Sequence, residues 1–295
     1  MAYQSTKFEA IGTGWEITLD EEVEYKLWIK TIEKIYSEID DFDKAFSRFR
    51  PDSLVTQMSH AAGTYQMPKH GHKLLEFYER LYKLTDGVVT ALIGQVMADA
   101  GYDANYSFKS KELKTPPKWQ DALSYDNHQI VIKKPALLDF GAAGKGLLVD
   151  IVAAIIEDAG IKSFTINASG DILHTSEKGD QITVGLENPF DASEAIGVVK
   201  LGSKSLCASA GSKRKWHNFH HIIDPATLKA TTEIVATWVI ADDTMTADGL
   251  ATALFFVNPS TLAGEFSFDY AKLGKDMELS YSPNFKIKIF ETQSR

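Results

Sequence analysis

An apolar run from Val235 to Ile240 passes almost directly into Met245-Thr-Ala-Asp248-Gly-Leu-Ala-Thr252-Ala-Leu-Phe-Phe256, and this change of pattern constrains the chain more than any other stretch. The first part reads as a strand. In the second, Leu250, Ala253 and Leu254 recur at helical spacing, the mark of a helix with one apolar face. On such a helix Asp248 and Thr252 stack on one surface, one turn apart and near the helix N-terminus, where the backbone favours anions. A carboxylate plus a hydroxyl oxygen suits a hard cation such as Mg²⁺, whose other positions go to waters or to substrate phosphates. An Asp and a Thr early in a helix serve equally as cap and surface residues, so the spacing alone leaves both readings open. Just upstream stands His220-His221-Ile222-Ile223-Asp224-Pro225, two histidines before a turn.

Composition narrows the partners. The chain has 295 residues, 44% apolar and 24% charged, enough for a sizeable core in one large domain or two modest ones. A net charge of −9 argues against a nucleic-acid partner, because that polymer is bound by clustered Lys and Arg. The one local basic cluster, Lys213-Arg214-Lys215, reads as a solvated loop, although it lies close enough to the histidines to face a phosphate. A single cysteine, Cys207, excludes an internal disulfide, offers no metal-site spacing and reads as a small buried residue. The N-terminal Met-Ala-Tyr-Gln-Ser-Thr-Lys-Phe lacks the apolar core of a signal peptide, and no run of about 18 apolar residues occurs. The expectation is a cytoplasmic protein without a membrane segment, unless an export segment has been removed.

Along the chain, residues 8–19 alternate as a strand after Gly14, and Leu27, Ile32, Ile35, Ile39 and Phe42 mark an amphipathic helix within residues 21–46. A second such helix covers 72–84. Residues 102–135 are polar, contain Pro116-Pro117 and read as an excursion with a short strand near 129–133. Then comes Leu137-Leu138-Asp139-Phe140-Gly141-Ala142-Ala143-Gly144-Lys145-Gly146, a strand end, a small-residue turn and a helix start. That arrangement lets backbone amides approach phosphate oxygens, but a lone Gly-rich turn is weak evidence of a site. Residues 163–167, 182–189 and 196–209 read as strands, and residues 266–295 as closing strands with clear alternation over 285–290. The fold class expected is α+β: one compact unit over 1–295, with a middle lobe.

Several of these segments, in this order, resemble the ApbE-type flavin transferases, the FAD:protein FMN transferases. The closing signature is His221-Ile-Ile-Asp-Pro followed by Ala247-Asp-x-Leu-Ala-Thr-Ala-Leu; Asp139-Phe-Gly-x-x-Gly-Lys-Gly with Asp150 is similar to the family's Asp-Leu-Gly-x-x-Ala-Lys-Gly-x-x-x-Asp. Ile11-Gly-Thr stands where relatives have Met-Gly-Thr, and Ser47 to Ser53 resembles their Ser-x-Tyr/Phe turn. Asn167-Ala-Ser-Gly-Asp171 stands where they have Gly-Gly-Asp, and Ser209-Ala-Gly211 lies near their Ser-Gly-x-x-x-Arg. The resemblance implies an antiparallel sheet with helices on its faces, a mixed domain related to the T-fold.

It also implies a site. Ile11, Phe49, Val88, Val89, Thr90, Asp139, Lys145 and Ile222 would contact FAD; Asp248, Thr252 and the Ala142 carbonyl would hold Mg²⁺; His221, rather than His220, would be the general base. The largest departure is at Thr85-Asp-Gly-Val-Val-Thr90, where relatives read Gly-x-Phe-Asp-Pro-Thr, so that Thr90 replaces a carboxylate. The function implied is Mg²⁺-dependent transfer of FMN from FAD to a Ser or Thr of a target protein, with release of AMP. A Mg²⁺-dependent FAD pyrophosphatase and an FAD-binding paralogue weakened in turnover are the alternatives, and Thr90 keeps the latter open.

Overall fold

A computed structural model describes residues 4–290. Its frame is an eight-stranded sheet: Gln4–Ala10, Thr13–Leu19, Phe164–Ala168, Asp171–Thr175, Lys204–Ala210, Ile234–Ala241, Asp269–Gly274 and Leu279–Tyr281. Spatial order follows chain order, and each neighbouring pair is antiparallel. Two three-stranded sheets flank it. One joins Gly63–Gln66, Gln129–Ile132 and Leu123–Tyr125; the other joins Ile182–Asn188, Asp191–Leu201 and Ile287–Ile289. This is the expected α+β architecture.

The first strand is a correction to the sequence reading. Residues 8–19 belong to two strands of a hairpin, closed by Ile11-Gly12 between the paired Ala10 and Thr13. Both turn residues have positive φ, 46° and 74°, which suits the twist of a two-residue hairpin and is unusual for a β-branched side chain. At the other end, the strand expected over 285–290 shortens to Ile287–Ile289, because Phe285 leaves the alternation to become a fully buried plug. Residues 291–295 of that expected closing region lie outside the described residues. The polar excursion holds the short helix Trp119–Ala122, which buries Trp119, as well as two strands.

Three helices carry the core. Tyr25–Phe46 buries Trp28, Ile32, Ile35, Ile39, Phe42 and Phe46 at three- and four-residue steps, the periodicity legible in the sequence. Gly144–Asp158 is apolar around most of its surface because it lies between that helix and Thr244–Ala253. Thr244–Ala253 in turn packs on the two central strands Lys204–Ala210 and Ile234–Ala241. Among the described residues no helix is long and apolar enough to cross a membrane.

The last two helices meet at Gly146, where a Cβ would stand 2.3 Å from the Thr244 carbonyl oxygen and 2.8 Å from the Asp248 Cβ. Glycine is required by that close approach. Asp150, one turn further on, accepts hydrogen bonds from the backbone amides of Thr244 and Met245 at 2.7 and 2.9 Å. It thus caps a helix other than its own, while Asp243 supplies the local cap by accepting from Thr246 N at 2.8 Å. Burial raises the Asp150 pKa to about 6, even against those two amide bonds.

Two substitutions test this joint. Asp150→Ala leaves two helix amides without an acceptor and is expected to cost about 1–3 kcal/mol in urea unfolding. Gly146→Ala overpacks backbone against backbone and is expected to cost a similar ~1–3 kcal/mol. Unfolding midpoints indistinguishable from wild type in both would show that the helices do not depend on this contact.

Candidate functional site

Between the main sheet, the helix pair and the Ile182–Asn188 strand opens a cavity of about 1640 Å³. Ile11, Phe49, Val88, Val89, Thr90, Asp139, Ala142, Lys145, His221, Ile222, Asp248 and Thr252 all line it. Residues scattered from the first hairpin to the penultimate helix therefore share one space, which no spacing rule could have established.

At its floor lies a charged cluster. Asp248 sits inside its helix rather than at the start, so the capping reading falls to Asp243. One Asp248 oxygen accepts from Gly146 N at 2.9 Å, and Thr252 lies one turn on with its hydroxyl 3.5 Å from Ser209 Oγ. Burial, with the Asp171 carboxylate second, raises the Asp248 pKa well above the usual range; Lys145 opposes this. Lys145 forms an ion pair with Asp171, which is fully buried, and donates to the Ala168 carbonyl at 3.1 Å. Burial works against the Lys145 charge, but Asp171 and Asp248 outweigh it and its pKa lies above the ordinary lysine value. Neither Asp171 oxygen has a hydrogen bond of regular geometry, so this ammonium is its main compensation. To reach Asp171 the chain holds Ser169 at φ 52°, a left-handed position where relatives were expected to have glycine.

Asp139 is fixed from two sides. Its Oδ1 accepts from Gly141 N at 2.7 Å, shaping the small-residue turn, and its Oδ2 pairs with the buried Arg48. Arg48 also donates to the Tyr102 carbonyl at 2.6 Å and lies 4.2 Å from the centroid of the Phe49 ring, while its remaining Nη2 has no partner. Tyr78, buried beneath the turn, accepts from Ala142 N at 3.0 Å and so orients the Ala142 peptide. Thr90 caps the short 3₁₀ turn Ala91–Ile93, its hydroxyl accepting from Leu92 N at 3.1 Å.

The two histidines have different surroundings. His220 is held at both ring nitrogens, Nε2 against the Thr231 carbonyl at 2.7 Å and Nδ1 accepting from Ile222 N at 3.2 Å. Burial lowers its pKa, and it is not among the residues lining the cavity. His221 lines the cavity and its Nδ1 is buried without a partner. Burial first, then the Arg214 and His220 charges, lower the His221 pKa to about 3, so the ring is neutral at ordinary pH. Of the basic cluster, Lys213 is paired with Glu187 at 2.6 Å, whereas Arg214 is exposed, lines the cavity and has no ion-pair partner among the described residues.

Above Phe49 an aromatic wall closes the cavity: Phe49 and Tyr106 stack at 5.3 Å with an interplanar angle of 7°, and Tyr102 stacks on Trp216. Arg48, Asp171 and the wall residues Tyr102, Tyr106 and Trp216 escaped the sequence reading, and Tyr78 is legible there only as a packing residue of its helix. Arg48 and Asp171 stood inside quoted segments, but only their burial as charged residues marks them, and burial is not visible in a single sequence.

The His221 environment sets a pH dependence. The unfolded histidine takes a proton near pH 6.5 and the folded one only near pH 3, so stability present above pH 6.5 is lost as pH falls through that window. Between pH 7 and 5 the loss is about 2 kcal/mol and should be absent from His221→Gln, measured by urea unfolding of both proteins. Equal pH slopes would place His221 in water.

The chain is similar to known proteins along nearly its whole length. Residues 11–264 match the model of the ApbE family. The FAD:protein FMN transferase of Rhodobacter capsulatus is 27% identical over 218 residues, covering 69% of this chain but only 41% of that protein. The FAD:protein FMN transferase of Escherichia coli strain K12 is 22% identical over 306 residues, covering 94% of this chain and 87% of that one. Among solved structures, the ApbE protein of Thermotoga maritima superposes with a TM-score of 0.80 at 20% identity, covering 97% of this chain and 98% of that chain. The flavin transferase ApbE of Vibrio cholerae gives 0.75 at 17% identity, covering 97% and 99%. Those two likenesses establish the fold, and the matched segment contains every residue singled out from Ile11 to Thr252: this chain belongs to the ApbE family.

Proposed function

We propose that this chain is a FAD:protein FMN transferase, moving FMN from FAD to a Ser or Thr hydroxyl of a partner protein. The observation that carries the reading is the convergence of every residue that the resemblance assigns to FAD, Mg²⁺ or the general base on one cavity large enough for a dinucleotide. The relatives bearing that name supply the activity; the cavity supplies the means. A cytoplasmic location is part of the proposal and rests on composition.

The donor set fits a hard cation. Asp248 brings one carboxylate, Thr252 a hydroxyl and Ala142 a carbonyl, and a site with a single charged ligand leaves positions for substrate phosphates. The burial that disfavours the Asp248 charge is the condition a divalent cation would relieve. When bound, Mg²⁺ supplies charge stabilisation at the pyrophosphate.

The protein's own groups do the remaining work. His221, neutral and lining the cavity, accepts the hydroxyl proton as the acceptor oxygen bonds to the FMN phosphorus. The bond between that phosphorus and the bridging oxygen breaks, and AMP leaves with the electron pair. In the free protein the ring is a weak base; the negative charge of bound pyrophosphate beside it raises its pKa toward neutrality. Arg214 faces the same space with an uncommitted guanidinium, suited to the charge that develops on the phosphoryl oxygens. Phe49 and the small-residue turn position the flat rings and the phosphates.

Incubation with FAD, Mg²⁺ and a hydroxyl-bearing polypeptide tests the reading by AMP release and by covalent flavin. Asp248→Asn should abolish AMP release and Thr252→Val should weaken it; undiminished, chelator-resistant turnover in Asp248→Asn would end the metal assignment. His221→Ala should lower the rate about 100- to 10,000-fold with FAD affinity within a few-fold, while His220→Ala costs mainly stability. Thr90→Asp provides a second oxygen beyond the one engaged by Leu92 N and should tighten FAD binding by about three- to thirty-fold in calorimetry. No change there would mean the flavin does not reach this position.

A further inference from the structure

The Ile182–Asn188 strand has an open edge, and that edge forms a wall of the cavity. Its one strand neighbour is Asp191–Leu201, and among the described residues no other backbone hydrogen bond reaches 182–188. Side chains alternate between the faces of a strand, so a cavity facing one face would meet every second residue. Here Ile182, Thr183, Val184 and Gly185 line it consecutively, followed by Glu187. The cavity therefore runs along the strand's unpaired amides and carbonyls rather than over one of its faces.

Exposed edges are ordinarily guarded by charges, prolines or covering loops, because they pair readily with another chain. Within the Thr183–Gly185 stretch no residue is charged or proline, and Gly185 has no side chain to stand in the way. The strand's length suits a short extended segment: its 7 residues span roughly 23 Å. The direction is also set. Glu187, toward the strand's end, is tied by Lys213 at 2.6 Å to the loop whose next residue, Arg214, accepts the His221 backbone N–H at 3.2 Å. A strand laid along the edge leads toward His221 at the cavity wall. Room exists as well, since about 1640 Å³ exceeds the ~300–1,000 Å³ of a single-ligand pocket.

We propose that this edge is the docking site of the acceptor polypeptide, which adds to Ile182–Asn188 as an extended strand and so delivers its hydroxyl to His221. The inference rests on the transferase reading and names the form in which its second substrate is bound. Recognition is then chiefly through the backbone, with alternate side chains of the acceptor entering the cavity. A hydroxyl presented by a helix or by a folded surface would not fit the edge.

The test uses the full chain with FAD and Mg²⁺ and a library of nonapeptides holding one fixed threonine among randomised positions. Peptides that acquire covalent flavin are resynthesised with single backbone N-methyl groups, and with a photoreactive residue beside the threonine. The expected result is a loss of transfer of about tenfold at every second amide, little change at those between, and cross-links within residues 182–187. Uniform tolerance of N-methylation, or cross-links elsewhere, overturns the proposal. So does AMP release with no peptide modified, since an extended segment is then not the acceptor. Cross-links between two copies of this chain through 182–187 in the absence of peptide would give the edge to a second copy and overturn it too. Failure of both AMP release and FAD binding would instead remove the transferase reading itself.

Discussion

Two helix backbones approach within reach of each other at Gly146, and the rest of the site hangs on that contact. Because no Cβ intervenes, the Gly146 amide can bind the Asp248 carboxylate directly, and Asp150 can cap the helix that carries Asp248. Two helices distant in sequence are thereby registered to each other by hydrogen bonds as well as by packing. The small-residue turn that begins one of them, with Ala142 and Lys145, is held at a fixed distance from the acidic residue on the other. Loss of this joint would leave each element intact and the cluster dispersed.

The charged floor shows how such a cluster is tolerated. Asp171 and Asp248 are both buried, and one ammonium, Lys145, pairs with Asp171 while the Asp248 charge also favours its protonated form. One ammonium balances one carboxylate, and the raised Asp248 pKa expresses how strongly a second negative charge is disfavoured out of water. The cost is met by the surrounding apolar core, in which Leu147, Leu148, Val149 and Val152 are almost fully buried. The lysine of the ion pair and the apolar residues that fix it in the core therefore lie on the same helix, on its first turn and its remaining length respectively.

The periodic helices, the paired histidines and the Asp248 to Thr252 spacing were legible in the sequence, because each depends on residues near one another in the chain. The family-matched motifs extended that legibility to single residues, and those assigned to FAD, Mg²⁺ or the general base line one cavity. What stayed hidden depends on long-range partners. Arg48 sits beside Phe49 in the sequence, but its role follows from Asp139, which lies 91 residues away. Asp150 looked like the end of a motif, and its function as a cap becomes visible only once another helix start is placed against it. Ile11-Gly12 looked like part of one strand, since a two-residue turn with an isoleucine at positive φ breaks the usual preference for Asn or Gly. Phe285 illustrates the opposite error: a perfect alternation was interrupted because one aromatic was needed as a plug.

The cavity's lining is drawn from the first hairpin, the small-residue turn, the two central strands and the last long helix, so no separable part of the chain owns it. A molecule held there is bound by the folded domain as a whole and by none of its fragments. Its free energy of binding therefore adds to the global stability by RT ln(1 + [L]/Kd), about 2.7 kcal/mol at a hundred times the dissociation constant. Occupancy of this site is thus coupled to resistance against unfolding everywhere in the molecule. Ligand supply would set how long the protein survives as well as how fast it works.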